Sequence, residues 1–255
     1  MEGMLPGSVE AGEALGVVFA CFWTAYLTAA FGVGGGLALL GVMALVLPPV
    51  AVIPVHGAVQ AGANASRLWL LRRHAMLPTV AWFTLGSLAG VAVGAPVASR
   101  ADPDLVRAGV GAFILFSLWA PLPERLRPGP RWNAAAGAVS AFLTMFFGAT
   151  GPFVAAAVRA AGFDRLRTSA THAAAMTTQH ALKCAGFALA GFAFAPWAAF
   201  ILACLAAGAA GSTVGARQLR ATSDGLFDRV FRGFLSVLAA ILIVAGLAAF
   251  VRRPA

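Results

Sequence analysis

Ten apolar runs, separated by short polar or glycine-rich stretches, make up most of the chain. They cover residues 14–31, 37–50, 53–71, 78–98, 104–120, 133–147, 152–162, 169–191, 196–213 and 229–250. A run of about 18 residues or more can cross the hydrocarbon core of a bilayer as a helix, whereas one of about 11–14 residues is too short. The pattern predicts an all-α, polytopic membrane protein with about eight to ten transmembrane or re-entrant segments.

Two glycine-rich stretches interrupt the apolar runs at corresponding places. Residues 31–36 read F-G-V-G-G-G, and residues 147–152 read F-G-A-T-G-P. Glycine tolerates unwound backbone, and Pro152 has no amide hydrogen to donate to a continuing helix. Inside a membrane, irregular backbone occurs only where it is buried in protein or lines a cavity. We therefore expect two helix–break–helix hairpins, over 14–50 and 133–162, with their tips inside the membrane.

Composition and charge narrow the class of protein. The chain is 60% hydrophobic and 11% charged, whereas a soluble domain is nearer a quarter charged. The net charge of +9 comes from arginines that lie mostly between apolar runs, where they set orientation in the bilayer, so we expect no nucleic-acid partner. The three cysteines lack metal-ligand spacing, and no hydrolase, zinc-protease or P-loop motif is present. We predict neither an enzyme nor a metal or cofactor site.

The polar positions repeat at an interval of 116 residues. This interval takes Phe31 to Phe147, His56 to His172, Asn64 to His180 and Arg67 to Lys183. The expected organisation is an N-terminal tail (1–13), a first transmembrane repeat (14–120), a cytoplasmic linker (121–132), a second repeat (133–250) and a C-terminal tail (251–255).

Loop charges indicate that the two repeats are inverted. In the first half Arg72 and Arg73 follow the third apolar run, whereas in the second half Arg165 and Arg167 precede the corresponding run. Because basic loops stay on the cytoplasmic side, the two halves are expected to lie upside down relative to each other. The basic C-terminal residues 252–253 do not follow the rule in this topology.

A polar stripe follows one face of the third apolar run and recurs on the eighth. The first stripe comprises His56, Gln60, Asn64 and Arg67, and the second comprises His172, Met176, His180 and Lys183. Polar groups at membrane depth are costly and usually face a pathway or a polar partner. All nine acidic residues lie in the termini or connections. The deep charges are therefore cationic, and the expected partner is a small anion.

Broken helices at matching positions of two halves mark the substrate site of many transporters, and helix N-termini suit an anion. The predicted substrate-binding residues are Gly34, Gly35, Gly36, His56, Gln60, Asn64, Arg67, Thr150, Gly151, His172, Gln179, His180 and Lys183. The alternatives are that the glycines only allow close packing, and that the polar groups only bond between helices or extend to the membrane surface. Three of the four histidines lie within runs, so proton coupling is a further expectation.

The chain resembles the TauE/SafE family of sulfite exporters and sulfonate-uptake permeases. Residues 31–36 and 54–67 resemble its first repeat, and residues 148–152 and 171–183 resemble its second. The resemblance implies a multi-pass secondary carrier for small sulfur-containing anions in a bacterial inner membrane. Many members carry a Thr-Ser pair where this chain has His56-Gly57, so we extend the expected cargo to sulfonates and related carboxylates. An anion channel of the same architecture and a non-transporting membrane subunit are the alternatives.

Two further glycine-rich faces leave the oligomeric state open. They comprise Gly86, Gly90 and Gly94 on one run, and Gly208, Gly211 and Gly215 on another. Glycine faces of this kind allow helices to approach closely, either within one protomer or between two protomers. A homodimer is therefore one of the expected possibilities.

Overall fold

The computed structural model describes residues 9–31, 34–119, 129–218 and 225–252. Within these ranges the chain forms ten α-helices and no strand, which confirms the all-α class. The helices are α1 (Ala11–Phe31), α2 (Gly35–Val46), α3 (Pro49–Leu71), α4 (Leu77–Ala98), α5 (Pro103–Trp119), α6 (Pro130–Phe147), α7 (Gly151–Arg159), α8 (Arg165–Leu189), α9 (Ala198–Gln218) and α10 (Gly225–Val251). Each helix coincides with one predicted apolar run.

Three stretches of the described chain are long and apolar enough to cross a membrane by length and composition alone. They are Ala11–Ala30, Leu77–Ala98 and Ala195–Gly215. Helices α2 and α7 have only 12 and 9 residues, which is shorter than a bilayer crossing requires.

Several helices begin a few residues before the predicted apolar runs because proline occupies their first turn. Pro49 opens α3, Pro103 opens α5 and Pro130 opens α6. Proline is favoured there since its fixed φ suits the helix and its missing N–H would have no intrahelical acceptor. Gly32, Val33, most of the predicted linker and the chain ends 1–8 and 253–255 lie outside the described residues.

The long helices pack in four main pairs. Helix α1 lies along α9, α4 along α6, α5 along α10, and α3 along α8. Glycines permit close approach in the first two pairs, because a Cβ atom at their positions would contact a main-chain carbonyl of the partner helix. These contacts join Gly86 to Ala134, Gly90 to Ala138, Gly211 to Phe22 and Gly215 to Tyr26. Both glycine-rich faces therefore pack within the protomer.

The largest apolar cluster surrounds α2. Leu40 and Met43 of this helix are fully buried and belong to one cluster with Val55 of α3 and Leu235 and Leu242 of α10. The buried histidines, Arg67 and Lys183 lie instead on α3 and α8, which pack against each other. The central helix pair thus carries both predicted polar stripes.

Candidate functional site

Both glycine-rich breaks lead into a short helix that starts at the centre of the protein. Gly34, with φ of +110°, precedes α2, and Gly148, with φ of +79°, follows α6. Glycine adopts these angles far more readily than other residues do. The first-turn amides of a helix lack intrahelical acceptors and lie at the positive end of the helix dipole. The N-termini of α2 and α7 therefore bring partial positive charge to the same region.

A cavity of ≈ 40 Å³ lies between the two breaks and the α3–α8 pair. A cavity needs about 10–15 Å³ to hold one water, so this space admits more than one water-sized group. The predicted residues that line it are Gly34, Gly36, His56, Gln60, Asn64, Arg67, Gly151, His172 and His180. Sequence reasoning missed Thr28, Leu37 and Ala149. The lining is completed by Pro152 of the second break and Met176 of the second stripe, which were not among the predicted binding residues. The structure thus brings both breaks, the first stripe and the second stripe except Lys183 to one central cavity.

Arg67 is the cation of this cavity. Its side chain is only 8% exposed, and its Nη2 donates to Asn64 Oδ1 (2.7 Å) and to His172 Nδ1 (3.1 Å). Its Nε has no hydrogen-bond partner within the described residues. Arg167 pairs with Asp164 at the surface, and no described carboxylate is paired with Arg67. A fixed, buried guanidinium with unused N–H groups is suited to bind an anion.

Two histidines connect the long helices to the short ones in the same way in each half. His56 Nε2 lies 3.0 Å from the carbonyl oxygen of Gly36, and His172 Nε2 lies 3.1 Å from that of Gly151. A carbonyl oxygen only accepts, so Nε2 is the donor in both rings. Since His172 Nδ1 accepts from Arg67, the His172 ring is neutral in this arrangement.

Lys183 does not line the central cavity. Its side chain is fully buried, and Nζ donates to the carbonyl oxygen of Gly148 at 2.9 Å. The Thr144 hydroxyl donates to the same oxygen at 3.0 Å. A Cβ atom at Gly57 would approach Cε of Lys183, so the small residue at position 57 makes room for the lysine. Lys183 therefore stabilises the second break from the side of α8.

Thr150 and Gln179 form a closed ring of hydrogen bonds with Ser140. The Ser140 hydroxyl donates to Gln179 Oε1 (2.8 Å), and Gln179 Nε2 donates to Thr150 Oγ1 (2.7 Å). The remaining contact, 2.7 Å between the two hydroxyl oxygens, must then be donated by Thr150, because the Ser140 hydrogen is already used. Ser140 was missed because a lone serine in an apolar run gives no signal of its own. These residues join α6, α7 and α8 beside the cavity rather than lining it.

Gly35 also has a packing contact rather than a place in the cavity lining. A Cβ atom at this position would contact the main chain of Thr24 in α1. The glycine therefore allows α2 to fold back closely against α1.

The match to a family model covers most of the chain. The model described as "Sulfite exporter TauE/SafE" matches residues 17–242, a range that contains both breaks and both polar stripes. No curated protein and no solved structure matches the chain.

Proposed function

We propose, because the chain belongs to the sulfite exporter TauE/SafE family, that it carries a small oxoanion such as sulfite or an organosulfonate across the membrane. The central cavity would be the binding site, and the protein would be a secondary carrier that works by alternating access. The observation that supports this most is Arg67, a buried cation without a described carboxylate partner where two helix N-termini meet.

The cost of burying Arg67 explains why an anion would bind there. An isolated buried charge is strongly unfavourable unless it is paired and hydrogen-bonded. Asn64 and His172 supply neutral acceptors but no negative charge. The planar guanidinium fork matches the oxygens of an oxoanion, and first-turn amides of α2 and α7 could add further donors. Substrate binding would then complete a site that the protein alone leaves uncompensated.

The pattern of helix contacts supports two equivalent halves, and the loop charges support their inversion. Exchanging the halves pairs α1 with α6, α2 with α7, α3 with α8, α4 with α9, and α5 with α10. Under this exchange the α1–α9 contact becomes the α6–α4 contact, while the α3–α8 and α5–α10 contacts map onto themselves. We infer two inverted repeats, each with a re-entrant hairpin, in a multi-pass protein of the bacterial inner membrane.

Alternating access follows from this arrangement by rocking one repeat against the other around a fixed central site. The small volume of ≈ 40 Å³ favours such a carrier over an anion channel of the same architecture. Proton coupling through the buried histidines stays a prediction.

Thermal unfolding of the purified protein in detergent tests this proposal. The ligands are sulfite, sulfate, thiosulfate, a short sulfonate, acetate and chloride at matched ionic strength. A ligand that binds only the folded state at 100 times its Kd adds about 2.7 kcal/mol of stability. We expect a selective increase in Tm with a sulfur oxoanion or sulfonate in the wild type. Arg67→Gln should abolish it, whereas Arg73→Gln, which changes an exposed arginine just beyond α3, should keep it.

Three results would contradict the proposal. If no anion of the panel raises the Tm of the wild type selectively, the protein behaves as a non-transporting membrane subunit. If Arg67→Gln keeps the full increase in Tm, the arginine is not part of the binding site. A sulfite conductance in planar bilayers too large for alternating access would replace the carrier by a channel.

A further inference from the structure

Equivalent positions of the two halves, which lie 116 residues apart, carry different side chains beside the two breaks. The interval pairs Thr24 with Ser140, Gly34 with Thr150, and Ala63 with Gln179. In the second half these positions hold the closed ring of two hydroxyls and one carboxamide. In the first half glycine and alanine stand where the ring has Thr150 and Gln179, so the side chains that would fill the equivalent space are missing.

A second cavity lies at this place in the first half. It has a volume of ≈ 20 Å³ and lies between α1, α3 and α9, with Thr24, Ala63, Arg67 and Ser212 among its lining residues. Its lining shares Thr28, Gln60, Asn64 and Arg67 with the central cavity, so the two spaces adjoin. A cavity needs about 10–15 Å³ to admit a water-sized group. We call this space the side pocket.

The polar groups around the side pocket are suited to an oxygen atom. Arg67 lines the pocket, is more than nine-tenths buried and has an Nε without a described partner. A buried donor of this kind normally has an acceptor, and an unobserved water or ion is one explanation when the protein supplies none. The hydroxyl of Thr24 donates to the carbonyl of Ala20 in its own helix (2.8 Å). The hydroxyl oxygen can still accept a hydrogen bond, and the O–H can rotate to donate to a ligand or to a water bound with it.

We propose that the side pocket is part of the anion site and receives one oxygen of an oxoanion bound at Arg67. Ala63 is then a specificity-determining residue, because its small side chain keeps the pocket open. Gln179 fills the equivalent place in the second half with its own carboxamide, so the protein binds one anion, on the side of Arg67. This inference rests on the proposed function.

Filling the side pocket tests the inference. The probe is inorganic sulfite, and the readout is its apparent affinity from the concentration dependence of Tm. Ala63→Gln places at this position the side chain that the second half already uses, and we expect the affinity to fall at least tenfold. The matched control is Ala65→Gln, since Ala65 is half-buried on the same helix and lines neither cavity; it should change the affinity less than threefold.

Two more variants keep the test decisive. If Ala63→Gln does not fold, Ala63→Ser adds only one hydroxyl, and we expect at least a threefold loss of sulfite affinity. Gln179→Ala removes the carboxamide of the second half, which lines neither cavity, and should leave the sulfite affinity within threefold of wild type even where it lowers Tm.

The outcomes separate this inference from the function on which it rests. Full sulfite affinity in a folded Ala63 variant, with the loss confined to Arg67→Gln, would overturn the side pocket and leave the proposed function intact. An equal loss in the Ala63→Gln and Ala65→Gln variants would also overturn it, because the effect would not be specific to the pocket. Absence of a wild-type response to every anion of the panel would overturn the proposed function and this inference with it.

Discussion

The two halves of the protein share a framework but differ in the side chains that occupy it. Each has a hairpin with a glycine-rich break, a long polar helix, and a histidine that donates to the first turn of the short helix. In the first half Arg67 lines two small cavities, whereas in the second half Lys183 binds a main-chain carbonyl and Gln179 belongs to a closed ring. A repeated scaffold therefore does not imply a repeated site.

The contacts that are alike in both halves are those that hold helices together. Backbone carbonyls approach Gly90 in one helix pair and Gly211 in the other. The contacts that differ involve side chains of unequal size at equivalent positions, such as Ala63 and Gln179. Small substitutions of this kind change a cavity without changing the helix packing around it.

The largest expected effect concerns the shared packing. Gly90→Val and Gly211→Val would each push a branched side chain against a backbone carbonyl of the partner helix. Overpacking a core costs about 1–3 kcal/mol and occasionally more, and we expect the upper end because backbone has little room to relax. Both variants should lose most of the monodisperse folded protein in size-exclusion chromatography. The control Gly16→Val, at a position with nothing within 4 Å, should keep the monodisperse folded protein. A loss in only one of the Gly90→Val and Gly211→Val variants would show that the two helix pairs are not equivalent.

A smaller effect on stability is expected from removing the equivalent hydroxyls of Ser140 and Thr24. Ser140→Ala would leave Gln179 and Thr150 with unpaired buried groups, which costs about 1–3 kcal/mol. Thr24→Ala removes a hydroxyl that bonds within its own helix, a bond that contributes little to helix stability. Thermal unfolding without ligand should therefore show a clearly lower Tm for Ser140→Ala than for Thr24→Ala. Equal Tm values would show that the ring does not stabilise the second break.

The smallest expected effect concerns Lys183. Lys183→Met keeps an unbranched side chain, and the Gly148 carbonyl keeps the hydroxyl of Thr144 as a donor. We expect the apparent sulfite affinity to stay within threefold of wild type, because the lysine does not line the central cavity. Arg67→Met, the matched change at the equivalent position, should lower it at least tenfold. A comparable loss in the two variants would restore the lysine as a cation of the anion site, as the sequence predicted.

Much of the fold was predictable because it depends on local chemistry. Run length and apolarity predicted ten segments, and each proved to be a helix in the described residues. The breaks at Gly34 and Gly148 were predictable because glycine and proline limit backbone conformation whatever surrounds them. The regular spacing of His56, Gln60, Asn64 and Arg67 placed them on one helix face, and they do line one cavity.

Only the tertiary structure decided what each polar side chain contacts. Arg67 meets His172 and Met76 meets Thr171 across intervals of 105 and 95 residues, and no local period determines such contacts. The long side chains of Lys183 and Gln179 have many rotamers, so their direction depended on where Gly148, Ser140 and Thr150 lay once the helices had packed. The sequence thus determined which helices form and where they break, because backbone conformation and hydrophobic length are properties of neighbouring residues. The division of the polar residues between a cavity and its supports was decided by packing, because it depends on atoms from different helices that are far apart in the sequence.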